Sequence, residues 1–295
     1  MTGWHRKAAA LSIDGRTVID GERVHARSGK TFGSADPATS LQLASVAKQL
    51  LRHAGQSNMK RLSLEAGGKS ANVIFADTED VRLAAEKAAF GAFCNQGEVC
   101  PANSRILIER PAYDDFVREL IEAAAPYEPG DPLHESSGNG AVVSSQHADD
   151  AEAAIRSGVR DGDILYGGNR LTIASSNAYI RPTIVGYLAA NHALNRDEVF
   201  GPVVTVSAFD TEEEAIARAN ATDYGLTASL WTSNLSRAHR VASALKAGTV
   251  SVNTVDAPGV TTPFGGFKQS GFGRDLSIHA IDNYVGLKTT WFQHG

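Results

Sequence analysis

The chain contains the stretch Phe93-Cys94-Asn95-Gln96-Gly97-Glu98-Val99-Cys100, and its last residue is the strongest candidate nucleophile. Only two cysteines occur among the 295 residues. Cys100 lies in a polar, glycine-containing loop after a strongly helical stretch, where a side chain can meet a substrate. A thiolate is a strong nucleophile near neutral pH once its pKa is lowered or its proton is taken. Cys94 ends an alanine-rich helix face and is interpreted as a small buried hydrophobe, the more common role for a free cysteine.

A candidate partner for the thiol lies in residues 62–70, which read Leu62-Ser63-Leu64-Glu65-Ala66-Gly67-Gly68-Lys69-Ser70. The alternation of apolar and polar residues predicts a strand that ends at the double glycine. Glu65 is therefore expected at a strand end, a usual place for active-site groups in α/β sheets. A cysteine and a carboxylate base together favour acyl chemistry through a thioester. Taken alone, a glutamate before two glycines is more often an exposed turn residue.

Four motifs resemble the signature sequences of the NAD(P)-dependent aldehyde dehydrogenases. They are Leu64-Glu65-Ala66-Gly67-Gly68-Lys69-Ser70, Asn95-Gln96-Gly97-Glu98-Val99-Cys100, Glu198-Val199-Phe200-Gly201-Pro202 and Pro263-Phe264-Gly265-Gly266. They occur in the order and at the approximate spacing of that family, from residue 48 to the C-terminus. Residues 265–275 and 287–291 most resemble the gamma-glutamyl-gamma-aminobutyraldehyde branch.

The resemblance implies an α/β fold, with a catalytic domain built on a parallel sheet flanked by helices. It implies that Cys100 attacks an aldehyde carbonyl to form a thiohemiacetal, and that hydride then leaves for the nicotinamide of NAD or NADP. Glu65 would activate the water that hydrolyses the resulting thioester. Glu198 matches the ligand of the nicotinamide ribose, Phe200 matches the aromatic residue near the ring, and Gly67 is a further expected cofactor contact. Residues 263–266 resemble the loop at the mouth of the substrate site.

The region that should bind the rest of the cofactor is missing from the expected place. Residues 41–47 run directly into residues 48–52, which resemble the helix that follows the family's phosphate-binding turn. Roughly 200 residues, more than a typical domain, are absent at this junction compared with the family. No glycine-rich turn between a strand and a helix occurs upstream of Lys48, and the family's oxyanion-stabilising asparagine motif is not found. We therefore expect a truncated cofactor domain, weak or lost cofactor binding, and impaired turnover.

The expected organisation has four parts. They are an N-terminal arm (1–47), a remnant of the dinucleotide-binding domain (48–77), the thiol-bearing catalytic domain (78–275) and a C-terminal oligomerisation segment (276–295). A hairpin is predicted within the arm, because Asp20-Gly21 separates two short β-type runs. Strands are predicted at 105–109, 164–166, 203–209, 230–232 and 249–253. Helices are predicted at 80–93, from Pro111, at 151–160, after a capping box at Thr211 and Glu214, and at 235–247.

Composition narrows the expected partners and compartment. Apolar residues make up 42% and charged residues 21% of the chain, which is typical of a folded soluble protein. A formal net charge of −5 and the lack of a basic stripe argue against nucleic-acid binding. The histidines are scattered without metal-ligand spacing, so no metal site is expected. The small cysteine count suits a reducing compartment, and the initial apolar run is too short for a signal peptide or membrane span, so a cytoplasmic protein is expected.

Three functional alternatives and one non-functional alternative follow from the sequence. The chain could be an aldehyde dehydrogenase acting on a small aldehyde, including an amino-aldehyde. It could be a cofactor-independent thiol esterase that uses Cys100 and Glu65. It could be a non-catalytic protein that joins homologues through a C-terminal strand at 287–292. Finally, the internal deletion could reflect a gene-prediction error or a decayed gene, leaving the strand near Glu65 with an exposed edge.

Overall fold

The computed structural model describes Arg6, Thr17–Ile19, Glu22–Val24 and residues 43–256 and 259–295. The described strands, in chain order, are β1 Thr17–Ile19, β2 Glu22–Val24, β3 Leu64–Glu65, β4 Ala71–Ile74, β5 Arg105–Glu109, β6 Asp163–Tyr166, β7 Arg170–Ile173, β8 Ser176–Ile180, β9 Thr183–Gly186, β10 Val203–Phe209, β11 Tyr224–Gly225, β12 Thr227–Trp231, β13 Thr249–Val252, β14 Phe267–Lys268 and β15 Gly271–Phe272. The helices are α1 Leu43–Gln56, α2 Val81–Phe93, α3 Tyr113–Ala124, α4 Ser145–Asp161, α5 Glu212–Asn220 and α6 Leu235–Ala244.

The core of the fold is a seven-stranded sheet in the order β13-β12-β4-β5-β10-β9-β6. All neighbouring pairs are parallel except β6 and β9, which run antiparallel. The central strands carry long apolar runs because both faces of the sheet are covered by helices. This confirms the expected α/β class with a parallel sheet flanked by helices.

Successive residues along each central strand enter different cores. Ile106 and Ile108 of β5 pack in one core with α2 and α3, whereas Leu107 packs on the other face with α5 and α6. The same alternation places Val206 of β10 with α2 and α3, and Phe209 with α5. A third cluster packs α4 against β8 and β9. The helices that follow β5 and β10 therefore lie on opposite faces of the sheet.

The predicted helix starts are largely confirmed by their caps. Asp80 accepts a hydrogen bond from Leu83 N (2.8 Å) at the start of α2, and Thr211 accepts one from Glu214 N (3.2 Å) at the start of α5. The Glu214 carboxylate accepts from Asp210 N (2.8 Å), one residue before the position that a capping box requires. Helix α4 begins earlier than predicted, because Ser144 caps it.

Helix α6 ends at Ala244, three residues before the predicted end. The side chain of Asn220 explains this, because its amide nitrogen donates to Ala244 O (2.9 Å) and its oxygen accepts from Lys246 N (2.7 Å). These contacts satisfy the helix end and turn the chain toward β13. A side chain 24 residues away thus ends the helix before the predicted glycine stop is reached.

The two ends of the chain were predicted with different success. Strands β1 and β2 pair antiparallel, with Val18 opposite Arg23, which confirms the hairpin, although its Asp20-Gly21 turn lies outside the described residues. The expected strand at 287–292 is not formed in the single chain. Leu287, Trp291 and Phe292 are exposed there, and a strand needs a second strand to pair with. Pairing of this segment with another subunit stays a prediction.

Strand β4 lies inside the large sheet, between β12 and β5, although the expected division at residue 77 assigns it to a separate remnant. Among the described residues, the short strand β3 pairs with β15 alone and stays outside that sheet. The four-part division of the chain stays a prediction. No helix among the described residues is long and apolar enough to cross a membrane.

Candidate functional site

Three loops at one edge of the sheet bring the candidate residues together. Residues 65–69 lead into β4, residues 98–104 into β5, and residues 198–202 into β10. These three strands are neighbours and run parallel, so the loops that enter them meet at the same edge. These loops lie at the amino ends of β4, β5 and β10, the opposite edge from the one where α/β sheets usually bind ligands, although Glu65 itself ends the short strand β3.

The loop before Cys100 has an unusual backbone. Asn95, Gln96 and Gly97 have φ values of 51°, 58° and 69°, which is three consecutive residues in the left-handed region. A Cβ at Gly97 would stand 2.4 Å from Gly201 O, so only glycine fits at this close approach. The loop that carries Cys100 is therefore pressed directly against the loop that carries Glu198.

Two polar contacts hold this loop in place. The Glu98 carboxylate accepts a hydrogen bond from Val143 N (2.8 Å) and lies 3.6 Å from His147 Nε2. The same His147 nitrogen lies 2.7 Å from Phe200 O. Phe200, the expected neighbour of the nicotinamide ring, has φ of 55° and its ring lies edge-on to His147 at 6.4 Å between centroids.

Cys100 lies in a turn, and no helix begins at it. No helix dipole is therefore positioned to favour its thiolate in this conformation. Burial raises the pKa of the Cys100 thiol to about 11, and the carboxylates of Glu198 and Glu65 act in the same direction. The thiol therefore needs a base to take its proton before it can attack.

Glu65 is the carboxylate that the sequence predicts as that base. It ends β3 as predicted, and neither of its side-chain oxygens has a hydrogen-bond partner in the described part of the chain, although both are shielded from solvent. Burial raises the pKa of the Glu65 carboxyl to about 7, with Asp275 adding to the rise and Arg274 opposing it. A carboxyl with this pKa changes protonation state near neutral pH and can both accept and release a proton.

The expected substrate-mouth loop touches Glu65. A Cβ at Gly265 would stand 2.8 Å from Glu65 Oε1, so the carboxylate lies against the backbone of this loop. Phe264 and Asp275 exchange both backbone hydrogen bonds, at 2.8 and 2.7 Å, which closes the loop over Glu65. The loop thus brings the Asp275 carboxylate close enough to act on the pKa of Glu65.

Glu198 lies on the double glycine that follows Glu65. Its Oε1 accepts a hydrogen bond from Gly68 N (2.9 Å), and a Cβ at Gly67 would stand 2.0 Å from its Oε2. The absence of a side chain at Gly67 therefore makes room for the Glu198 carboxylate. Burial raises the pKa of Glu198, while the Gly68 hydrogen bond and the charge of Lys69 oppose the rise.

Sequence reasoning missed two buried residues that border this region. Lys69 is 2% exposed, and burial lowers the pKa of its ammonium to about 7. Ser270 is fully buried, and its hydroxyl donates to Gly67 O (2.7 Å) and accepts from Gly225 N (3.0 Å). A lysine directly after Gly67-Gly68 was a visible signal, whereas nothing in the sequence relates Ser270 to Gly67.

Comparison with known proteins gives consistent matches. The profile of the aldehyde dehydrogenase family matches residues 44–290. The chain is 47% identical over 244 residues to the NADP/NAD-dependent aldehyde dehydrogenase PuuC of Escherichia coli, covering 83% of this chain and 49% of that protein. It is 39% identical over 250 residues to human retinaldehyde dehydrogenase 3, covering 85% and 48%.

Solved structures agree with these matches. An indole-3-acetaldehyde dehydrogenase of P. syringae, crystallised as a mutant with NAD+ and IAA, superposes with a TM-score of 0.83 at 47% identity, covering 85% of this chain and 51% of that one. The gamma-glutamyl-gamma-aminobutyraldehyde dehydrogenase of Burkholderia cenocepacia gives 0.82 at 43% identity, covering 84% and 50%.

These similarities confirm the family and include the branch that the C-terminal motifs resemble. The chain spans about half the length of the relatives it matches. The family match begins at residue 44, so most of the expected N-terminal arm (1–47) lies outside it.

Proposed function

The chain belongs to the aldehyde dehydrogenase family, and on that premise we propose that it oxidises an aldehyde to the carboxylic acid through a thioester on Cys100. The proposal is supported by a half-buried thiol, Cys100, whose pKa responds to the half-buried carboxylate of Glu65, and by the shielded oxygens of Glu65, which have no hydrogen-bond partner in the described residues. Glu65 acts on the pKa of Cys100, and its own pKa of about 7 suits a base at neutral pH.

Each step assigns a task to one side chain. Glu65 takes the Cys100 proton and passes it to solvent, and the sulfur forms a bond to the aldehyde carbon as the carbonyl π bond opens to an alkoxide. When bound, NAD or NADP supplies the hydride acceptor for the oxidation of this adduct. Glu65, ionised again, takes a proton from the water that attacks the Cys100 thioester. The C–S bond then breaks, which releases the acid, and the proton returns to the sulfur to restore the thiol.

The residues at the site fit one end of the cofactor. The Glu198 carboxylate, fixed by Gly68 N on its Oε1, retains lone pairs that can accept from a ribose hydroxyl. Phe200 lines the same small cavity as Glu198, and the lack of a side chain at Gly67 makes room for the Glu198 carboxylate itself. No glycine-rich turn for a pyrophosphate occurs in the sequence upstream of Lys48. We therefore expect cofactor binding to be weak and turnover to be slow.

An amino-aldehyde is the substrate class that we propose. Support comes from the similarity to a gamma-glutamyl-gamma-aminobutyraldehyde dehydrogenase and from the motifs at 265–275. A second relative acts on indole-3-acetaldehyde by its name, so that aldehyde is the natural comparison. Formation of NADH from both aldehydes at high cofactor concentration distinguishes the two.

A second candidate function needs only the thiol and the carboxylate. Cys100 and Glu65 can hydrolyse an activated ester without a hydride acceptor, because both steps are acyl transfers. Hydrolysis of a p-nitrophenyl ester, with Cys100→Ser as the control, tests the pair itself. If wild-type and Cys100→Ser proteins hydrolyse the ester equally, the assignment of Cys100 is wrong.

Isothermal titration calorimetry with NAD tests the cofactor-binding part of the proposal separately. Saturable heat that disappears in Glu198→Gln supports the proposed ribose contact. Tight binding, together with NADH formation at rates ordinary for the family, would contradict the proposed impairment. Ester hydrolysis without NADH formation favours the esterase over the dehydrogenase. Absence of both activities leaves the non-catalytic assembly protein and the decayed or wrongly predicted gene as the remaining alternatives.

A further inference from the structure

The opposite edge of the sheet contains a cavity that the proposed function does not use. Its volume is about 580 Å³, within the range that binds a small organic molecule. It is lined mainly by Arg110, Tyr113, Tyr187, Leu188, Ser207 and Arg218. Arg110 directly follows β5 and Tyr187 directly follows β9, so the cavity lies at the carboxyl ends of the strands. The Cys100 site lies at their amino ends.

The topology of the sheet explains why a cavity forms here. Strands β5 and β10 are parallel neighbours, yet the helix after β5 (α3) and the helix after β10 (α5) pack on opposite faces of the sheet. The two connections diverge and leave a crevice beyond the strand ends. Such switch points are where open α/β sheets bind their ligands. In this chain the crevice lies outside the site that the family motifs mark.

A buried polar group in the cavity lacks a partner. No described residue forms a hydrogen bond with the Tyr113 hydroxyl, although that oxygen is shielded from solvent. It lies over the end of β9, 3.4 Å from the position that a Cβ on Gly186 would occupy. An unpaired buried hydroxyl is costly, and a ligand atom that accepts its proton removes that cost.

A second tyrosine supplies a ring beside the first. The rings of Tyr113 and Tyr187 lie 6.1 Å apart between centroids at an angle of 54°. Tyr187 is 64% exposed and has φ of 58°, an uncommon backbone conformation for an aromatic residue. Strained residues of this kind occur often at binding sites. The exposed ring offers a face on which a planar group can stack.

The two arginines that line the cavity are each paired with a carboxylate. Arg110 forms two hydrogen bonds with the Asp210 carboxylate, one of them 2.7 Å from Nη2 to Oδ2. Arg218 contacts Glu214 at 3.2 Å and donates to Ser207 Oγ at 2.6 Å. Asp114 adds a further negative charge to the lining. The cavity therefore suits an uncharged ligand better than a phosphate or a carboxylate.

We propose that this crevice, between the Tyr113 hydroxyl and the Tyr187 ring, binds an uncharged planar heteroaromatic ring with a hydrogen-bond acceptor at its edge, of the nucleobase type. The ring stacks on Tyr187, and its acceptor atom takes the hydrogen bond from Tyr113. This site is separate from the Cys100 site and does not depend on the function proposed there.

Equilibrium dialysis of the full chain with adenosine tests the proposal. We expect saturable binding with a Kd below about 1 mM. Tyr113→Phe, which removes only the oxygen, should weaken binding about 5- to 10-fold, and Tyr187→Ala about 10-fold or more. The same change at an exposed tyrosine outside the cavity, Tyr284→Phe, should leave the Kd unchanged.

Two further binding measurements distinguish this site from the Cys100 site and from a site for a charged ligand. Glu198→Gln should not change adenosine binding, and a loss there would place the nucleoside at the Cys100 site and overturn the proposal. AMP should bind no more tightly than adenosine, and a tenfold gain from the phosphate would contradict the choice of an uncharged ligand. Lack of binding, or equal binding by wild type and Tyr113→Phe, would also overturn it.

Discussion

The Oε2 atom of Glu198 occupies the space that a side chain on Gly67 would need, with 2.0 Å between that oxygen and the position of a Cβ. Two motifs that are 130 residues apart in sequence are thereby fixed to each other, since Gly68 N also donates to Glu198. The contact joins the loop after Glu65 to the loop before β10. It makes the geometry at Gly67 a sensitive point for any ligand that Glu198 holds.

Gly67→Ala should displace the Glu198 carboxylate, because the methyl group cannot share its space. We expect NAD binding, measured by calorimetry, to weaken by at least about 10-fold, the loss of one charged hydrogen bond. Gly55→Ala is the matched control, because Gly55 lies in α1 with no atom within 4 Å of its Cβ position. That control should leave binding unchanged. Equal binding by Gly67→Ala and wild type would contradict the role of Glu198.

Ester hydrolysis should rise with pH through the pKa of Glu65. Because burial and Asp275 raise this pKa to about 7, the carboxylate that accepts the Cys100 proton forms only near and above neutral pH. The profile of kcat/KM should show an inflection near that value. In Glu65→Gln the inflection should disappear and the rate should fall by about 100-fold or more. An unchanged profile in this variant would exclude Glu65 as the base.

The same pKa shift predicts a change in stability. The Glu65 carboxyl binds its proton more tightly in the folded than in the unfolded state, so this group's contribution to stability is present at low pH and is lost as the pH rises through about 7. Glu65→Gln removes the ionised form. Its Tm relative to wild type should therefore be higher at about pH 8.5 than at about pH 5.5. The reverse order would show that the Glu65 carboxylate is stabilised in the fold.

Alkylation measures the state of the Cys100 thiol. With a pKa of about 11 in place of 9.0, its thiolate fraction at neutral pH is about 100-fold lower, and its reaction with iodoacetamide should slow accordingly. Mass spectrometry of a Cys94→Ala protein isolates this site. Glu198→Gln should speed the reaction several-fold by removing a nearby negative charge, whereas Glu86→Gln, a remote exposed change, should not. Rapid alkylation of the wild type would contradict the raised pKa.

Arg105 should be a stability determinant of the catalytic region. It is 3% exposed, and its guanidinium donates to Lys69 O (3.0 Å), Arg218 O (3.0 Å) and Ala219 O (2.8 Å). Arg105→Met leaves three carbonyls without this donor and should cost about 3 kcal/mol or more in the free energy of unfolding.

Arg82→Met is the control for that change. Arg82 is exposed and pairs with Glu86 only along the surface of α2, so its loss should cost less than about 0.5 kcal/mol. Urea denaturation followed by circular dichroism measures both variants. A similar cost for the two would show that the carbonyl contacts of Arg105 contribute little.

Local patterns in the sequence were sufficient for most of the elements. Helical spacing of alanines with Asp80 as a cap predicted α2, and β-branched runs predicted β5 and β10 within a residue. The candidate residues Glu65, Gly67, Cys100, Glu198 and Phe200 were identified through motifs, since short segments with fixed spacing are visible in one dimension. The boundaries of α4 and α6 were missed, because Ser144 and Asn220 set them through side-chain contacts.

The sequence by itself determined the helices, about half of the strands, the family and the candidate thiol and carboxylates, whereas strands such as β4 and β9 were not predicted. Only the tertiary structure decided how those groups behave. Burial and neighbouring carboxylates set the pKa of Cys100, and no pattern along the chain reports how far a side chain lies from solvent. The same holds for Ser270 beneath Gly67 and for the crevice at Tyr113, because both arise where segments distant in sequence pack together and their connections cross the sheet on opposite faces.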